Sequence, residues 1–385
     1  NTLDHWAVDN AGNTEAKDSQ TINIDKTPPS ISGSRSPAAN SYGWNNGDVT
    51  VSFTCTDAVS GVDSCSGPTT LSGEGAGQSV TGTATDMAGN SASATVGGIN
   101  IDKTAPTITA SISPAAPAST GWYNLATGVP TVSFSCSDDG SGLAGSCPAP
   151  VTLSEGADQS VSRTVYDAAG NSATAGISHI NVDLTAPIVT ITVPANGGFY
   201  VLGASVASSF SCADQTSGVA SCTGPATVDT NSVGSKSFAV TATDNAGNPA
   251  TLTNTYNVQY APVGTMCLGS PSHQILQPIN VDGSSVWKKG STVPAKFRVC
   301  DAKGNSIGTP GVVVSFKLVN KDGGTVGPVD EDPVSTTPDI AFRWDPTSQQ
   351  WIFNINTKNL TAGYTYTYQI NLNDGTTIIF KFGLK

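Results

Sequence analysis

A five-residue motif, Asp-X-Ala-Gly-Asn, constrains the architecture of this chain more than any other feature. It occurs four times, beginning at Asp9, Asp86, Asp167 and Asp244, with spacings of 77, 81 and 77 residues. Sixteen residues after the first three of these stand Asp25, Asp102 and Asp183, each leading into Thr-Pro-Pro or Thr-Ala-Pro. Such a period is long for a solenoid unit and suits a small β-sandwich that buries its own core.

The composition favours short strands joined by turns over helices. The 385 residues include 41 Gly and 23 Pro, only 12% are charged, and no segment has a helical apolar period. The predicted fold is all-β: tandem immunoglobulin-like (Ig-like) β-sandwiches in an extended rod plus a C-terminal β-sandwich domain. The predicted segments are a hairpin of strands F and G from an incomplete Ig-like domain at 1–27, repeats at 28–104, 105–185 and 186–260, and a distinct β domain at 261–385.

Charge is distributed unevenly along the chain. Residues 1–260 hold 6 Lys plus Arg and 20 Asp plus Glu, whereas 261–385 hold 11 and 9, so the two parts carry −14 and +2 and sum to −12. An acidic repeat region repels nucleic acid and anionic lipid and attracts cations. The longest weakly polar stretch, around Phe199 to Phe210, is too short and too rich in Ser and Gly for a membrane span.

The cysteines fall into neighbouring pairs at matching places in the repeats. A zinc site would need more Cys or His within reach, so disulfides are the favoured interpretation, and they indicate an oxidising, extracellular compartment. The predicted pairs are Cys55 with Cys65, Cys136 with Cys147, Cys212 with Cys222, and Cys267 with Cys300.

Aspartates recur where successive repeats should meet. In a seven-strand sandwich the B–C and F–G loops lie beside the end of the preceding domain. Three junction sets follow: Asp25, Asp57 and Asp86; Asp102, Asp138 or Asp139, and Asp167; and Asp183, Asp214 and Asp244. Converging carboxylates suggest Ca²⁺. Alternatively each Asp only caps its own turn, with Lys26 and Lys103 satisfying some of the charge.

The last junction departs from this pattern, because Tyr260 stands where the linker aspartate is expected and "YAPVG" replaces "DKTAP". We therefore expect the final domain to be attached differently.

Residues 1 to about 260 resemble the tandem bacterial Ig-like repeats of secreted and surface proteins, through "GWYN", the paired Cys loops, "TATDMAGN" and "INIDKTAP". The C-terminal part resembles the PxKF module, through "VPAKFRVCDAKGNSIG" with Pro294, Lys296 and Phe297, and through the Gly-Leu-Lys ending. The resemblance implies an extracellular or cell-surface location in a prokaryote and no established activity, since fold does not imply function.

Catalytic signatures are lacking in the sequence. His5, His179 and His273 are isolated, and no metalloprotease, serine-hydrolase or phosphate-binding motif is present. A carboxylate pair for glycoside hydrolysis would need one member in an apolar pocket. Among the aromatic residues of the last domain, Tyr364, Tyr366 and Tyr368 alternate at period two, as do Phe380 and Phe382, which favours buried strand faces over a sugar-binding platform for most of the set. The set is Trp287, Phe342, Trp344, Trp351, Phe353, Tyr364, Tyr366, Tyr368, Phe380 and Phe382.

The N-terminal hairpin lacks the strands that precede the later hairpins, and a lone hairpin buries too little apolar surface to order itself. Its apolar residues should pack on something; they are Leu3, Trp6, Val8, Ile22 and Ile24. Two interpretations stay open. The missing strands belong to a longer form of the same protein, or the hairpin completes a domain in another copy, head to tail, in a donor-strand manner.

The expected function is that of a non-enzymatic extracellular structural protein: a disulfide-stapled rod serving as a cell-surface stalk or as a subunit of an extracellular filament or sheath. Two alternatives are the noncatalytic tail of a larger secreted hydrolase and an adhesin whose terminal domain binds glycans. Calcium is the one cofactor suggested, and other copies of the chain are candidate partners.

Overall fold

The computed structural model describes residues 1–324 and 338–385, and strands form all the regular structure of these residues. The chain divides into two units, 1–184 and 185–385, each treated by itself below. No helix in the described parts is long and apolar enough to cross a membrane.

The first unit begins with a two-stranded hairpin. Strand β1 (Thr2–His5) pairs antiparallel with β2 (Asp18–Thr21), with Thr2 opposite Thr21. The Asp-X-Ala-Gly-Asn motif forms the turn, where the Asp9 carboxylate accepts hydrogen bonds from the backbone and side chain of Asn13. The apolar residues that we expected to be covered are all exposed, by 40–57% of their surface; they are Leu3, Trp6, Val8, Ile22 and Ile24.

The first repeat is a sandwich of two three-stranded sheets. Its strands are β3 (Ser30–Ser36), β4 (Val49–Thr56), β5 (Val62–Cys65), β6 (Thr69–Leu71), β7 (Gly75–Asp86) and β8 (Ser91–Ile101). One sheet has the order β3-β4-β6 and the other β5-β7-β8. Alternation along β4 and β8 turns Val49, Val51, Ile99 and Ile101 inward, where all four are fully buried. This is the A-B-E and C-F-G division of an Ig-like sandwich.

The second repeat follows the same plan. Its strands are β9 (Thr107–Ser113), β10 (Thr131–Ser137), β11 (Val151–Thr152), β12 (Gly156–Tyr166) and β13 (Ser172–Val182). Strands β11, β10 and β9 form one sheet and β12 and β13 the other. Tyr123 bridges in parallel to Val182 and fills the core beside Val132 and Ile180.

The second unit opens with the third repeat. Its strands are β14 (Ile188–Val193), β15 (Gly198–Val201), β16 (Ser209–Ala213), β17 (Val219–Thr223), β18 (Gly234–Asp244) and β19 (Pro249–Gln259). Strand β15 runs parallel to β19 at the edge of a sheet of order β15-β19-β18-β17. Phe238, Val240, Tyr256 and Val258 are buried in its core.

The final domain has the largest core. Its described strands are β20 (Met266–Cys267), β21 (Ser270–Pro271), β22 (Ile275–Leu276), β23 (Val286–Trp287), β24 (Thr292–Phe297), β25 (Val313–Gly323), β26 (Arg343–Asp345), β27 (Gln350–Asn356), β28 (Tyr364–Leu372) and β29 (Thr377–Leu384). Two sheets, of orders β22-β24-β27-β26 and β23-β29-β28-β25, form the sandwich. The aromatic residues predicted to be core are buried or partly buried against that core, as in the stack of Phe316 on Tyr368 at 5.1 Å.

The cysteines form disulfides in the pairs that their spacing suggested, Cys55–Cys65, Cys136–Cys147, Cys212–Cys222 and Cys267–Cys300. The Cα atoms of each pair lie 5.6–6.0 Å apart. In the first and third repeats the bond joins strand B to strand C and so ties one sheet to the other. Closing a loop of this size stabilises by roughly 3 kcal/mol in the chain-entropy account. Such a set of disulfides is typical of an extracellular protein.

Candidate metal centres at the aspartate junctions

The first junction brings together carboxylates from three separate elements. Asp25 lies in the linker after the hairpin, Asp57 starts the loop after β4, and Asp86 ends β7. One carboxylate oxygen of each lies within 4.8 Å of the others. The predicted set therefore converges at this junction.

Each of these carboxylates also organises its own loop. Asp57 Oδ1 accepts hydrogen bonds from the backbone N–H groups of Val59, Ser60 and Gly61 at 2.8–3.0 Å. Asp86 Oδ1 accepts from the backbone N–H of Asn90 and Oδ2 from its side chain, both at 2.8 Å. The capping interpretation is correct for these residues, and it does not compete with their convergence.

The linker aspartate is held from both sides of the junction. Asp25 Oδ1 accepts the N–H of Thr27 at 2.9 Å, and Oδ2 accepts the N–H of Ser60 in the next repeat at 3.2 Å. The hydrogen bonds from Thr27 and Ser60 lower the pKa of Asp25, so this carboxyl is ionised at neutral pH. The Asn90 side chain donates to the Asp25 carbonyl at 3.3 Å and ties the F–G turn to the linker.

The second junction repeats this arrangement with deeper burial. Asp102, Asp138 and Asp167 form the set, and Asp102 and Asp167 are each 1% exposed. Asp102 Oδ2 accepts the N–H of Ser141 at 2.6 Å, and Asp138 Oδ2 accepts that of Gly142 at 2.7 Å. The linker and the B–C loop of the repeat that follows are therefore joined directly through a carboxylate.

The F–G turn closes the second junction from the other side. Asp167 holds Asn171 through its backbone and side chain, and the Asn171 side chain donates to the Asp102 carbonyl at 2.9 Å. The loop also approaches closely, since a Cβ atom on Gly140 would lie 2.5 Å from Asp102 Oδ2. Only glycine fits there without displacing the carboxylate.

The sequence offered two neighbouring aspartates, Asp138 and Asp139, as alternative members of the second set, and the structure distinguishes them. Asp138 points into the set, whereas Asp139 is exposed and lies outside it. Asp139 instead lines an open hollow of about 290 Å³ together with Glu74, Asp102 and Asp138. Of the two predicted alternatives, Asp138 therefore belongs to the converging set and Asp139 does not.

Lysine and arginine side chains of the described residues form no ion pair with these two sets. Lys103 points to Asp48 and to the Ser72 carbonyl, so its expected role at the junction is wrong. No lysine or arginine among residues 1–324 and 338–385 forms an ion pair with either set, Lys26 included.

The third predicted set is divided between the two units. Asp183 ends the first unit and is buried, while Asp214 and Asp244 belong to the second. Asp214 Oδ1 accepts the N–H of Gly218 at 2.8 Å, and Asp244 holds Asn248 as Asp86 holds Asn90. The loop architecture is therefore repeated in the third repeat.

The donor chemistry of the first two sets fits a hard divalent cation. Two unit charges 4 Å apart repel by about 4 kcal/mol at an effective dielectric constant of 20, and each set holds three. A carboxylate has about four lone-pair sites, so one that accepts one to three hydrogen bonds keeps a site for a metal. Ca²⁺ takes six to eight oxygen ligands, which carboxylates, backbone carbonyls and water can supply.

Tyr260 replaces the linker aspartate in the second unit and makes a different joint, as its sequence position predicted. Its side chain is 3% exposed and packs in the core of the final domain. Its N–H donates to Asp374 Oδ2 at 2.9 Å and its hydroxyl to Asn373 Oδ1 at 2.8 Å. Burial, with the nearby Asp374 charge, raises the pKa of Tyr260 to about 12.

The Asp374 carboxylate at this joint receives hydrogen bonds from other residues of the chain. Burial alone would raise the pKa of Asp374, but the nearby His273 side chain and the hydrogen bonds from Thr376 and Tyr260 outweigh it and lower that pKa. His273 Nε2 lies 3.7 Å from Asp374 and 2.8 Å from Thr376 Oγ1. Of the other histidines, His5 lies near Asp18 and His179 near Asp158, both at the surface.

Sequence reasoning missed one element of this joint. Asp301-Ala-Lys-Gly-Asn305 is a relaxed form of the repeated motif, and it makes the same turn. Asp301 accepts hydrogen bonds from the backbone and side chain of Asn305 at 2.8 and 2.9 Å. The N–H of Ala302 donates to the Leu202 carbonyl of the third repeat at 2.8 Å. A search for the motif with its alanine left free would have found it.

Comparison with known proteins adds solved structures of low similarity. The chain matches Clostridium thermocellum CbhA fibronectin(III)-like modules with 14% identity and a TM-score of 0.18, covering 51% of this chain and 94% of that one. It matches a protocadherin gammaB7 EC3-6 cis-dimer structure with 12% identity and a TM-score of 0.26, covering 92% of each. A tetra-tandem repeat from the extending region of a large adhesion protein has 15% identity, a TM-score of 0.21 and coverage of 99% and 79%.

No protein-family model and no curated protein matches the chain. The tandem Ig-like fold is therefore established here by the sheet topology described above.

Proposed function

We propose that this protein is a non-enzymatic extracellular scaffold whose Ig-like repeats are fixed in orientation by Ca²⁺ bound at the aspartate junctions. Its role is that of a cell-surface stalk or of a subunit in an extracellular filament or sheath, in a prokaryote. The extracellular part of this proposal is supported by the four disulfides.

The convergence of three carboxylates at each of two junctions is the observation that carries the proposal. Each set takes one residue from the linker, one from the B–C loop and one from the F–G turn. A bound Ca²⁺ would therefore connect the segment before the junction to two loops of the repeat after it. Hydrogen bonds of the chain, such as that from Ser60 N–H to Asp25, support this proposal because they hold carboxylates of the set in position.

Calcium titration of the full chain tests the proposal, with adjacent residues serving as variant and control. Asp138→Asn keeps the shape of a side chain inside the second set and removes its charge, whereas Asp139→Asn removes an equal charge outside it. Isothermal titration should show that Asp138→Asn loses one binding site and that Asp139→Asn keeps the wild-type number. Wild-type protein that binds no Ca²⁺ at millimolar concentration, or equal losses in both variants, would overturn the proposal.

The other candidate functions receive different degrees of support. A glycan-binding terminal domain would need exposed aromatic rings, but Trp287, Tyr366 and Phe382 are fully buried. The tail of a larger secreted hydrolase is the alternative within the same non-catalytic class. A catalytic domain in the same polypeptide would favour that alternative.

A further inference from the structure

The N-terminal hairpin aligns residue by residue with the F–G hairpin of the first repeat at the offset of 77 residues. Leu3, Ile22 and Ile24 then correspond to Val80, Ile99 and Ile101. In the repeat, Ile99 and Ile101 are fully buried against the strand A–B sheet. In the hairpin the matching side chains are 40–56% exposed.

The edges of the hairpin also lack strand partners that the F–G hairpin of the first repeat has among the described residues. In the first repeat β7 pairs with β5 as well as β8, and Ile101 of β8 bridges to Asn45. Among the described residues β1 and β2 pair only with each other. The hairpin thus presents an apolar face and two open edges where the repeats have a second sheet and flanking strands.

A second exposed surface lies at the first junction, and the equivalent surface at the second junction is covered. At the second junction, the A–B loop of the first repeat clasps the next repeat: Asn40 Nδ2 donates to the carbonyls of Ala168 and Ala169 at 2.8 and 3.2 Å. The Tyr42 hydroxyl donates to the Ala144 carbonyl at 3.4 Å.

At the first junction the residue that corresponds to Ala168 is Met87, which is 72% exposed, and the nearby Val59 is 65% exposed. Together with Ile24 they line an open hollow of about 580 Å³. Within the described residues, no A–B loop covers the first junction in the way that Asn40 and Tyr42 cover the second.

We propose that this continuous surface, the hairpin face of Leu3, Ile22 and Ile24 together with the hollow at Met87 and Val59, is a docking site for one kind of partner. The partner is a polypeptide segment with the strand A and B pattern of the repeats and no F–G hairpin of its own. Its A–B loop carries an Asn at the position of Asn40 and donates to the Met87 and Ala88 carbonyls. The first repeat supplies the template for each of these contacts.

A second native copy of this chain does not meet that description. In the described parts of each repeat, the strand A–B sheet is already covered by its own hairpin, as Val49 and Val51 are by Ile99 and Ile101. A copy would have to open one of its own sandwiches before it could bind.

A fusion tests the proposal by supplying such a segment. Residues 28–77, which carry strands A to E of the first repeat, are placed ahead of Asn1, so that Gly77 meets the residue aligned with position 78. We expect amide hydrogen exchange in residues 2–5 and 18–24 to slow by at least about tenfold relative to the unfused chain, because these amides join a covered sheet. Equal exchange rates in the two proteins would overturn the proposal.

Two variants of the fusion separate docking from mere attachment. Ile24→Asp puts a charge on the docking face and should abolish the added protection. Trp6→Ser is the matched control, because Trp6 aligns with the exposed Thr83 and its ring faces Lys17 at 4.9 Å. Equal protection in both variants, or reversible dimerisation of the unfused chain that Ile24→Asp abolishes in sedimentation, would contradict the assignment.

Discussion

The second aspartate junction and the Tyr260 joint each connect one domain to the next, but their chemistry is opposite. At the junction, Asp102, Asp138 and Asp167 converge, and no lysine or arginine of the described residues pairs with them. At the joint, Tyr260 is buried and Asp374 receives its hydrogen bonds from the chain itself. Under the calcium proposal the first arrangement takes an ion from solution, whereas the second is complete within the chain.

Under the calcium proposal, this difference means that the cation concentration affects the stability of the aspartate junctions and not that of the Tyr260 joint. A joint closed by burial and hydrogen bonds has a stability set by the sequence alone. A junction of like charges has a stability that varies with the cation concentration. The four predictions below test that contrast, beginning with the largest effect.

Removing the Tyr260 ring should have the largest effect. Tyr260→Ala leaves a cavity in the core of the final domain and should lower the free energy of unfolding of the second unit by about 3–5 kcal/mol. Urea unfolding followed by tryptophan fluorescence measures the loss, which should be the same in Ca²⁺ and in chelator. Tyr166→Ala is the control. Because Tyr166 is largely exposed, this substitution should lower the free energy of unfolding only slightly. A Tyr260→Ala effect that depends on Ca²⁺ would contradict the contrast.

Chelation should destabilise the first unit by the next largest amount. At a free Ca²⁺ concentration of 100 times Kd, each site contributes about 2.7 kcal/mol, which chelator removes. For a unit of this size the loss corresponds to a melting-temperature decrease of roughly 5–10 °C per site. Differential scanning calorimetry with and without chelator measures it, with Mg²⁺ as the control for ionic strength. Superimposable curves would remove calcium from the account.

Neutralising one junction carboxylate should have an effect whose sign depends on the ion. In Ca²⁺, Asp138→Asn should destabilise the first unit because it removes a ligand. In chelator it should stabilise by about 1 kcal/mol, since one of three like charges is gone and the amide oxygen of the substituted side chain can still accept the Gly142 hydrogen bond. Asp139→Asn should change neither curve by more than a few tenths of a kcal/mol, as is usual for exposed sites. The same sign in both media would mean that Asp138 acts only as a turn cap.

Alkaline pH should also distinguish the joint from the junction. The pKa of Tyr260 is raised from 10.0 to about 12 in the folded protein, so the neutral phenol favours folding. That contribution is fully present below pH 10 and is lost as the pH rises through about 12. Tyr260→Phe cannot ionise, so its stability relative to the wild type should increase over this range. Parallel pH curves for the two proteins would show that the hydroxyl is not held as described.

Much of this architecture could be predicted because the repeats carry local signals. The period of the Asp-X-Ala-Gly-Asn motif located the F–G turns, and the cysteine pairs located strands B and C. Alternation at Tyr364, Tyr366 and Tyr368 and at Phe380 and Phe382 identified part of the aromatic core of the final domain. These features depend on residues close in sequence, where turn chemistry and strand period decide the structure.

Other features depended on contacts that no local pattern reveals. Tyr260 signalled a different joint, but its partners Asn373 and Asp374 lie 113 and 114 residues away. The choice of Asp138 over Asp139 follows from the path of one loop, and Lys103 turned to Asp48, which lies 55 residues earlier. Trp6 and Val8 look like inner-face residues in the hairpin alone. Their alignment with Thr83 and Thr85 instead gives Trp6 an exposed position and Val8 a half-exposed one.

The central claim, that a cation joins the linker to the repeat at the aspartate junctions, is tested most directly by diffraction. A crystal grown in CaCl₂ and measured for anomalous scattering should show a peak enclosed by Asp102, Asp138 and Asp167. One oxygen of each should lie at about 2.3–2.6 Å from it, the range of Ca²⁺ ligands. An ordered junction with its Ser141 and Gly142 hydrogen bonds in place, and with no peak at saturating Ca²⁺, would contradict the claim.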